Sequence, residues 1–250
     1  MKRPRKTLYI PGAILFFAGV LLGLILSGWS LWGQVEASLL VYPTGQPPIA
    51  SLKCPLMLAS TEAGIVSAYF DNPTTEEINP TVQAVIGRIG KSRTASGVLT
   101  LAPGQRKQVQ WQVVPADRVF GGLILVNLFE TSQRNFSAHQ SYCGIPVWGF
   151  PRNSGFSGMQ MFILMFATSL VFIIAGGSLW LAGRLPLRGL VEQATNASAA
   201  LAVLAFLDML LIFPRWWGLS LFLFLLTVML VVIIITQFIL FPTGADRGER

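Results

Sequence analysis

The sequence predicts an α+β multi-pass membrane protein, with four transmembrane helices and an extracytoplasmic β-sandwich between the first and the second. Three observations predict it. The chain of 250 residues is 53% hydrophobic and only 12% charged, with a mean hydropathy of +0.61, about half the charge of a typical soluble domain. Four stretches are long and apolar enough to cross a bilayer, for which about 20 predominantly apolar residues are needed. Between the first two stretches lies a segment of short alternating apolar runs broken by Pro, Gly, Asn and Asp, the pattern of a sheet protein.

Residues 1–7 form a basic N-terminus with Lys2, Arg3, Arg5 and Lys6. Helix one is expected over 8–33 and carries no charge. Its basic start, apolar stretch and Val35-Glu-Ala37 triplet resemble a secretory signal. The apolar run is longer than the usual 7–15 residues of such signals, so an uncleaved anchor is expected. Its Gly19-x-x-x-Gly23-x-x-x-Ser27 row is a small-residue face that lets helices approach closely.

Helix two is expected over 159–183, with Gly176-Gly177 as its own small pair. Helix three, 196–213, is the weakest and contains Asp208. Helix four, 218–241, is bulky nearly all round and leads to a cytoplasmic tail, 242–250.

Sidedness follows from basic residues in short loops. Lys2, Arg3, Arg5 and Lys6, then Arg184 and Arg188, then Arg247 and Arg250 lie at one side, against Arg215 on the other. Both termini and the 184–195 loop are therefore expected in the cytoplasm of a plasma-membrane protein, with 34–158 outside. Trp29, Trp32, Trp216 and Trp217 fall near the outer boundary, where amphipathic rings settle.

The outer domain is expected over 38–150. Strands are predicted at Ser38–Tyr42, Leu52–Ala59, Gly64–Phe70, Thr81–Ile89, Gly97–Leu101, Lys107–Val114, Leu123–Phe129 and Tyr142–Trp148. Alternation places Val109, Trp111 and Val113 inward and Gln108, Gln110 and Gln112 outward, and gives Val66, Ala68 and Phe70 a second inward row. Cys54 and Cys143 are the only cysteines. One thiol pair in an oxidising compartment predicts a disulfide. Closing a loop of about 90 residues stabilises by about 4.5 kcal/mol in the chain-entropy model.

Certain turns carry a resemblance. Gly64-Ile-Val-Ser-Ala-Tyr-Phe is followed by Asp71-Asn-Pro, then Leu101-Ala-Pro-Gly104, then Val109-Gln-Trp-Gln-Val. This order is similar to the Ig-like, CARDB-like modules of bacterial and archaeal surface proteins. It departs from antibody-type domains in lacking a Trp at the usual spacing after the first Cys. The resemblance implies a spacer or interaction module and carries over no catalytic residue.

The net charge of +7 does not point to nucleic acid. The segment 34–158 is nearly balanced, and Arg88, Lys91, Arg93, Arg106 and Lys107 are expected in solvated loops. The excess lies in the cytoplasmic flanks, where it meets anionic lipid. His139 is the only histidine and has no HxxxH, CxxC or HExxH context. Neither a Walker-type loop, a GxGxxG opening nor a GxSxG elbow occurs. Gly97 begins a strand rather than a phosphate loop, and with no histidine inside a helix a bis-His haem is excluded. Asn135-Phe-Ser137 matches a glycosylation acceptor, and Ser154-Gly-Phe-Ser-Gly158 reads as a flexible linker. No catalytic residue, metal or cofactor is expected.

Asp208 is the one residue that asks for an account. A carboxylate inside a span costs about 2.5–3.5 kcal/mol on insertion scales and usually faces protein or water. It anchors a partner helix, pairs with Arg215 across Pro214, serves as an ion or proton site, or sits there protonated as a spectator. The leading expectation is a non-enzymatic structural or accessory subunit of a larger bacterial membrane complex, with other membrane-protein subunits and the bilayer as partners. The alternatives are a small transporter or channel component built on Asp208, and an envelope adhesion or sensing protein whose sandwich binds a surface protein or polymer.

Overall fold

A computed structural model describes residues 6–39, 49, 51–88, 91–120, 122–131, 138–149, 155–184, 190–214 and 216–236. It is mixed α+β and divides into two compact units, one of residues 1–28 and 163–250, the other of residues 29–162.

Four helices are described: α1 (Lys6–Leu39), α2 (Gly158–Arg184), α3 (Leu190–Leu211) and α4 (Trp217–Ile234). Stretches of α1, α2 and α4 are long and apolar enough to cross a membrane; the expected span at 196–213 is met by a shorter apolar stretch of α3, Thr195–Leu211, so three of the four expected stretches reach that length among the described residues. The first unit is inverted relative to a water-soluble bundle. Ile14, Leu21, Val171, Ile174, Phe222, Leu225 and Met229 are exposed, while Ser27, Ser169, Asp208, Ser220 and Thr227 are buried. Its core is small: Phe16, Val20, Ile173, Trp180, Leu201, Ala205, Met209 and Ile234.

The α1 and α2 backbones meet through glycines. A Cβ at Gly12 would stand 2.5 Å from the Trp180 amide nitrogen, and one at Gly19 would stand 2.8 Å from that of Ile173. A Cβ at Gly176 would strike the Phe16 backbone. Gly23 faces Met209 of α3 and Ser169 of α2. Ser169 Oγ donates to the Gly19 carbonyl at 2.8 Å, which joins the two helices at the same level.

The second unit holds seven strands: β1 (Leu58–Ala59), β2 (Gly64–Asp71), β3 (Thr81–Arg88), β4 (Lys91–Val98), β5 (Arg106–Val113), β6 (Leu123–Thr131) and β7 (Ala138–Trp148). They form a five-stranded sheet in the order β1-β7-β6-β3-β4 and a two-stranded sheet, β2-β5. The pairs are antiparallel except β1 with β7. Both sheets close on one core. Val66, Ala68, Phe70, Trp111 and Val113 come from the small sheet, and Val82, Ala84, Ile86, Ile124, Val126, Leu128, Ile145 and Val147 from the large one. The unit is therefore a β-sandwich.

Several boundaries differ from expectation. The predicted strand Ser38–Tyr42 is helical at its first two residues, and the rest lies outside the described residues. Of Leu52–Ala59 only the last two residues are strand, with Lys53 making an isolated bridge to Ser67. The predicted strand Gly97–Leu101 is displaced: the strand is β4, and Leu101 instead bridges Ile78. Lys91 and Arg93 therefore lie on a strand and not in a loop, as do Arg88 on β3 and Arg106 and Lys107 on β5. The cause is edge placement. β4 has one ladder neighbour and is exposed almost throughout, so no buried face imposes alternation, and charge on its free edge opposes pairing with another chain. Helix α1 also runs past the expected end at Gly33 to Leu39. Its last turns cover the outer face of the large sheet, where Ala37 packs with Val119, Leu123 and Leu125.

Candidate functional site

Two places concentrate buried polar chemistry, one in each unit. The first is Asp208. Helices α3 and α4 are joined by the short turn that follows Leu211, and Asp208 and Ser220 face each other across that hairpin. Ser220 Oγ donates to Asp208 Oδ1 at 2.7 Å. Asp208 is 1% exposed and Ser220 is fully buried. Ser27 of α1 also stands beside the carboxylate, although its own hydroxyl makes no hydrogen bond of good geometry. The Ser27 end of the small-residue row is thus polar and faces the acid, whereas Gly19 and Gly23 provide close packing. Arg215, the expected charged partner, lies outside the described residues. The partner that is described, Ser220, is neutral and sits on α4.

The second place is where the sandwich takes hold of its two flanking helices. Gln34 of α1 reads the backbone of β7. The Gly144 amide donates to its Oε1 at 3.2 Å, and its Nε2 donates to the Tyr142 carbonyl at 3.4 Å. Gly144 must lack a side chain, because a Cβ there would collide with the Gly33 carbonyl. Trp29 lies 5.3 Å from Trp148, centroid to centroid. At α2, Ser157 and Gln160 form a capping box: the Gln160 amide donates to Ser157 Oγ at 3.2 Å and the Ser157 amide to Gln160 Oε1 at 2.9 Å. Glu62 Oε2 accepts from the Gly158 amide at 2.6 Å and from the Ala59 amide at 3.0 Å. A carboxylate at a helix N-terminus satisfies orphan donors and complements the helix dipole. Ser157 and Gly158, expected in a flexible linker, are instead the cap and first residue of α2.

Inside the sandwich, Cys54 and Cys143 form a disulfide with their Cα atoms 6.7 Å apart. Cys54 follows Lys53, which bridges the small sheet, and Cys143 is on β7 of the large sheet, so the bond ties the two layers. A second tie is Arg93, whose guanidinium donates to the Gln112 carbonyl at 2.6 Å and to Asp117 Oδ2 at 2.9 Å. The turns that carry the CARDB-like resemblance are bonded to one another. Asn72 is buried, and its Nδ2 donates to the carbonyls of Glu76 at 2.7 Å and Leu101 at 3.0 Å. The Gly104 amide donates to the Asn72 carbonyl at 2.9 Å. Gly104 has a φ of +68°, which favours glycine.

Glu130 on β6 pairs in register with His139 on β7. Burial pushes its carboxyl above the usual glutamate range, the His139 charge partly offsets this, and Asp71 adds a smaller upward push. Among the described residues no group of three His, Cys, Asp or Glu side chains is placed to hold a metal. The acceptor Asn135 lies outside the described residues.

The first unit also contains an apolar cavity of about 280 Å³. Phe16 of α1, Ile173, Gly177 and Leu181 of α2, and Ala199 and Ala202 of α3 contribute to its wall. Gly177 therefore differs from Gly176. A Cβ there would meet only the Phe16 ring, at 3.6 Å.

No family model matches the chain. No curated protein matches it in sequence. Solved structures resemble part of it. A CARDB domain from Pyrococcus furiosus, solved in complex with di-metal ions, is 12% identical and covers 43% of this chain and 98% of its own, with a TM-score of 0.32. A β-glucuronidase from Bacteroides uniformis is 14% identical over 38% of this chain, with a TM-score of 0.29. A cycloisomaltooligosaccharide glucanotransferase from Paenibacillus is 16% identical over 40%, with a TM-score of 0.32. This chain spans 12% of the glucuronidase and 14% of the glucanotransferase. A CARDB domain is thus among the structures that part of the chain resembles, and the activities of the two enzymes belong to those enzymes.

Proposed function

We propose that this protein is a non-enzymatic accessory subunit of a larger membrane assembly, which holds an Ig-like sandwich at the outer membrane surface for contact with other subunits. The observation that carries this reading is the double grip of the sandwich unit, Gln34 on β7 and Glu62 on the first amide of α2. Both bonds lie within the sandwich unit, where side chain–backbone hydrogen bonds tie the sheets to the helix segments that flank them.

Four spans accompany this reading. Because α3 and α4 are bonded side by side through Asp208 and Ser220, a membrane-crossing α4 brings α3 in with it. Both termini and the α2–α3 connection then face the cytoplasm, in keeping with their basic residues. The disulfide favours an oxidising compartment for residues 34–158. Exposed Trp32 and Trp216 suit an interfacial belt. Apolar side chains on the outside of α4, Phe222, Leu225, Met229 and Val232, suit lipid or a neighbouring helix. The test is extraction in mild detergent followed by mass measurement and identification of co-purifying chains. A particle far heavier than 27.3 kDa with stoichiometric partners is the expected result, and a monodisperse monomer overturns it.

The buried carboxylate favours a second reading, a transport component that uses Asp208. On that reading Asp208→Asn abolishes ion- or proton-linked flux in vesicles while insertion is kept. On the first reading the substituted amide still accepts from Ser220, and assembly persists.

A further inference from the structure

One end of the sandwich unit gathers exposed aromatic side chains. Its bonds define that end. The Val147 amide donates to the Gly122 carbonyl at 2.7 Å, so the end of β7 lies beside the start of β6. Leu58 of β1 is in register with Val147. Both flanking helix segments meet the sheets here. A Cβ at Gly122 would stand 3.2 Å from the Trp29 ring of α1, and one at Gly158, the first residue of α2, would strike the Leu58 backbone. Among the described residues of this unit the exposed Trp and Phe side chains are Trp32, Phe120 and Phe156, at 56%, 51% and 51%. All three belong to this end. Trp32 follows Trp29 by about one turn of α1, Phe120 lies in the turn that opens β6, and Phe156 comes just before α2.

Phe120 has a φ of +49°, the one positive value at a non-glycine among the described residues. A bulky residue rarely adopts that conformation. Glycine adopts it freely, and the sequence has glycine at the next two positions. The turn is closed by its own bonds: the Val119 amide donates to the Leu123 carbonyl at 2.7 Å and the Leu123 amide to the Val119 carbonyl at 3.0 Å. The chain therefore holds a large apolar ring outward at a strained position. Such strain persists where the surroundings impose it, and it gathers at functional positions.

Continuity of the chain names the occupant. The apolar stretch Gly158–Gly183 begins at this end. Where α1 and α2 cross a bilayer, the rim around them meets the lipid interface, the level at which aromatic rings settle. Arg118, two residues before Phe120, is exposed as well, and its long side chain suits the same boundary.

We propose that Phe120 inserts into the lipid interface, with Trp32 and Phe156 beside it, so that the sandwich unit grips the membrane surface through its own rim. The proposal rests on the reading in which α1 and α2 cross a membrane, and it needs no partner subunit.

The test is site-directed spin labelling of the full chain in liposomes of phosphatidylcholine and phosphatidylglycerol. Cys54 and Cys143 are held in the disulfide, so an introduced cysteine alone takes the nitroxide. Collisions with oxygen report hydrocarbon, and collisions with a polar nickel chelate report water. At Phe120→Cys, oxygen collisions are expected to exceed nickel collisions. Phe156→Cys, where φ is not positive, is expected to give the same result and keeps the test in force if the strained turn rejects the label. Gly97→Cys, where a Cβ meets nothing, is expected to give the reverse. Val82 is in register with both Gly97 and Glu130, which places Gly97 about 23 Å along the sheet from Leu123, at about 3.3 Å per strand residue. Ile174→Cys, at an exposed position of α2, reads the crossing itself. Nickel dominance at Phe120 and Phe156 with oxygen dominance at Ile174 overturns the insertion and leaves the crossing intact. Nickel dominance at Ile174 overturns both. A nitroxide at Phe120 shielded from both reagents reveals a protein contact, from a second copy or a partner, and also overturns the insertion.

Discussion

Glu130 shows how one side chain makes the sandwich sensitive to pH. Its carboxyl is raised by burial more than His139 lowers it, so the folded state favours the protonated form more than the unfolded chain does. The stability this contributes is fully present below the ordinary glutamate range, about pH 4, and is lost as pH rises through the raised folded value. Glu130→Gln is therefore expected to raise the melting temperature of the purified protein by a few degrees at pH 8, with the gap closing towards pH 4. A constant difference across that range would contradict it. Asp208 is legible at this scale because an acid in an apolar run is conspicuous. Ser220 is not, since a buried acid points first to an opposite charge, and a serine twelve positions away carries no such mark. Asn72 reads in the sequence only as a turn residue. Its burial and its bonds to Glu76 and Leu101 depend on where a distant strand returns.

Among the elements, legibility follows burial. Strands β2, β3 and β5 lie within a residue or so of their expected places because one face of each enters the core and imposes alternation. The sequence of β4, Lys-Ser-Arg-Thr-Ala-Ser-Gly-Val, has no such face. The extension of α1 past Gly33 is hidden because Gln34, Glu36 and Ser38 end the apolar run without ending the helix. The new polarity marks a change of neighbour, since Gln34 bonds to strand backbone. Gly12 is inconspicuous because it lies outside the Gly19-Gly23-Ser27 spacing, although its approach to Trp180 is as close as any in that row. Helix–sheet docking gives a direct prediction. Gly144→Ala places a methyl against the Gly33 carbonyl and should destabilise the sandwich by about 1–3 kcal/mol, the usual cost of overpacking. Gly97→Ala, where a Cβ meets nothing, should be nearly neutral. Thermal melts of the two variants side by side distinguish local collision from a general intolerance of substitution.

At the scale of the whole molecule, the two units obey opposite rules of burial. One buries serines and an acid beneath an apolar surface, and the other buries apolar rows beneath polar strands. The division into helical and sheet segments is plain from hydropathy alone. Layer order is not, because β1-β7-β6-β3-β4 depends on contacts distant in sequence. The disulfide belongs to one unit only. Paired Cys54→Ser and Cys143→Ser substitutions should cost the sandwich up to about 4.5 kcal/mol and leave the helical unit unchanged. Two separate unfolding transitions, only one of them shifted by reductant, would display this. A single transition moved as a whole would refute it.

The Val35-Glu-Ala37 triplet has a consequence for how the protein is made. A leader-trimming protease needs its recognition residues in an open, extended strand. Here they are wound into α1, with Ala37 fully enclosed between helix and sheet. In the folded chain a bond beside Ala37 is therefore shielded, and incubation of the folded protein with such a protease is expected to leave the N-terminal helix attached.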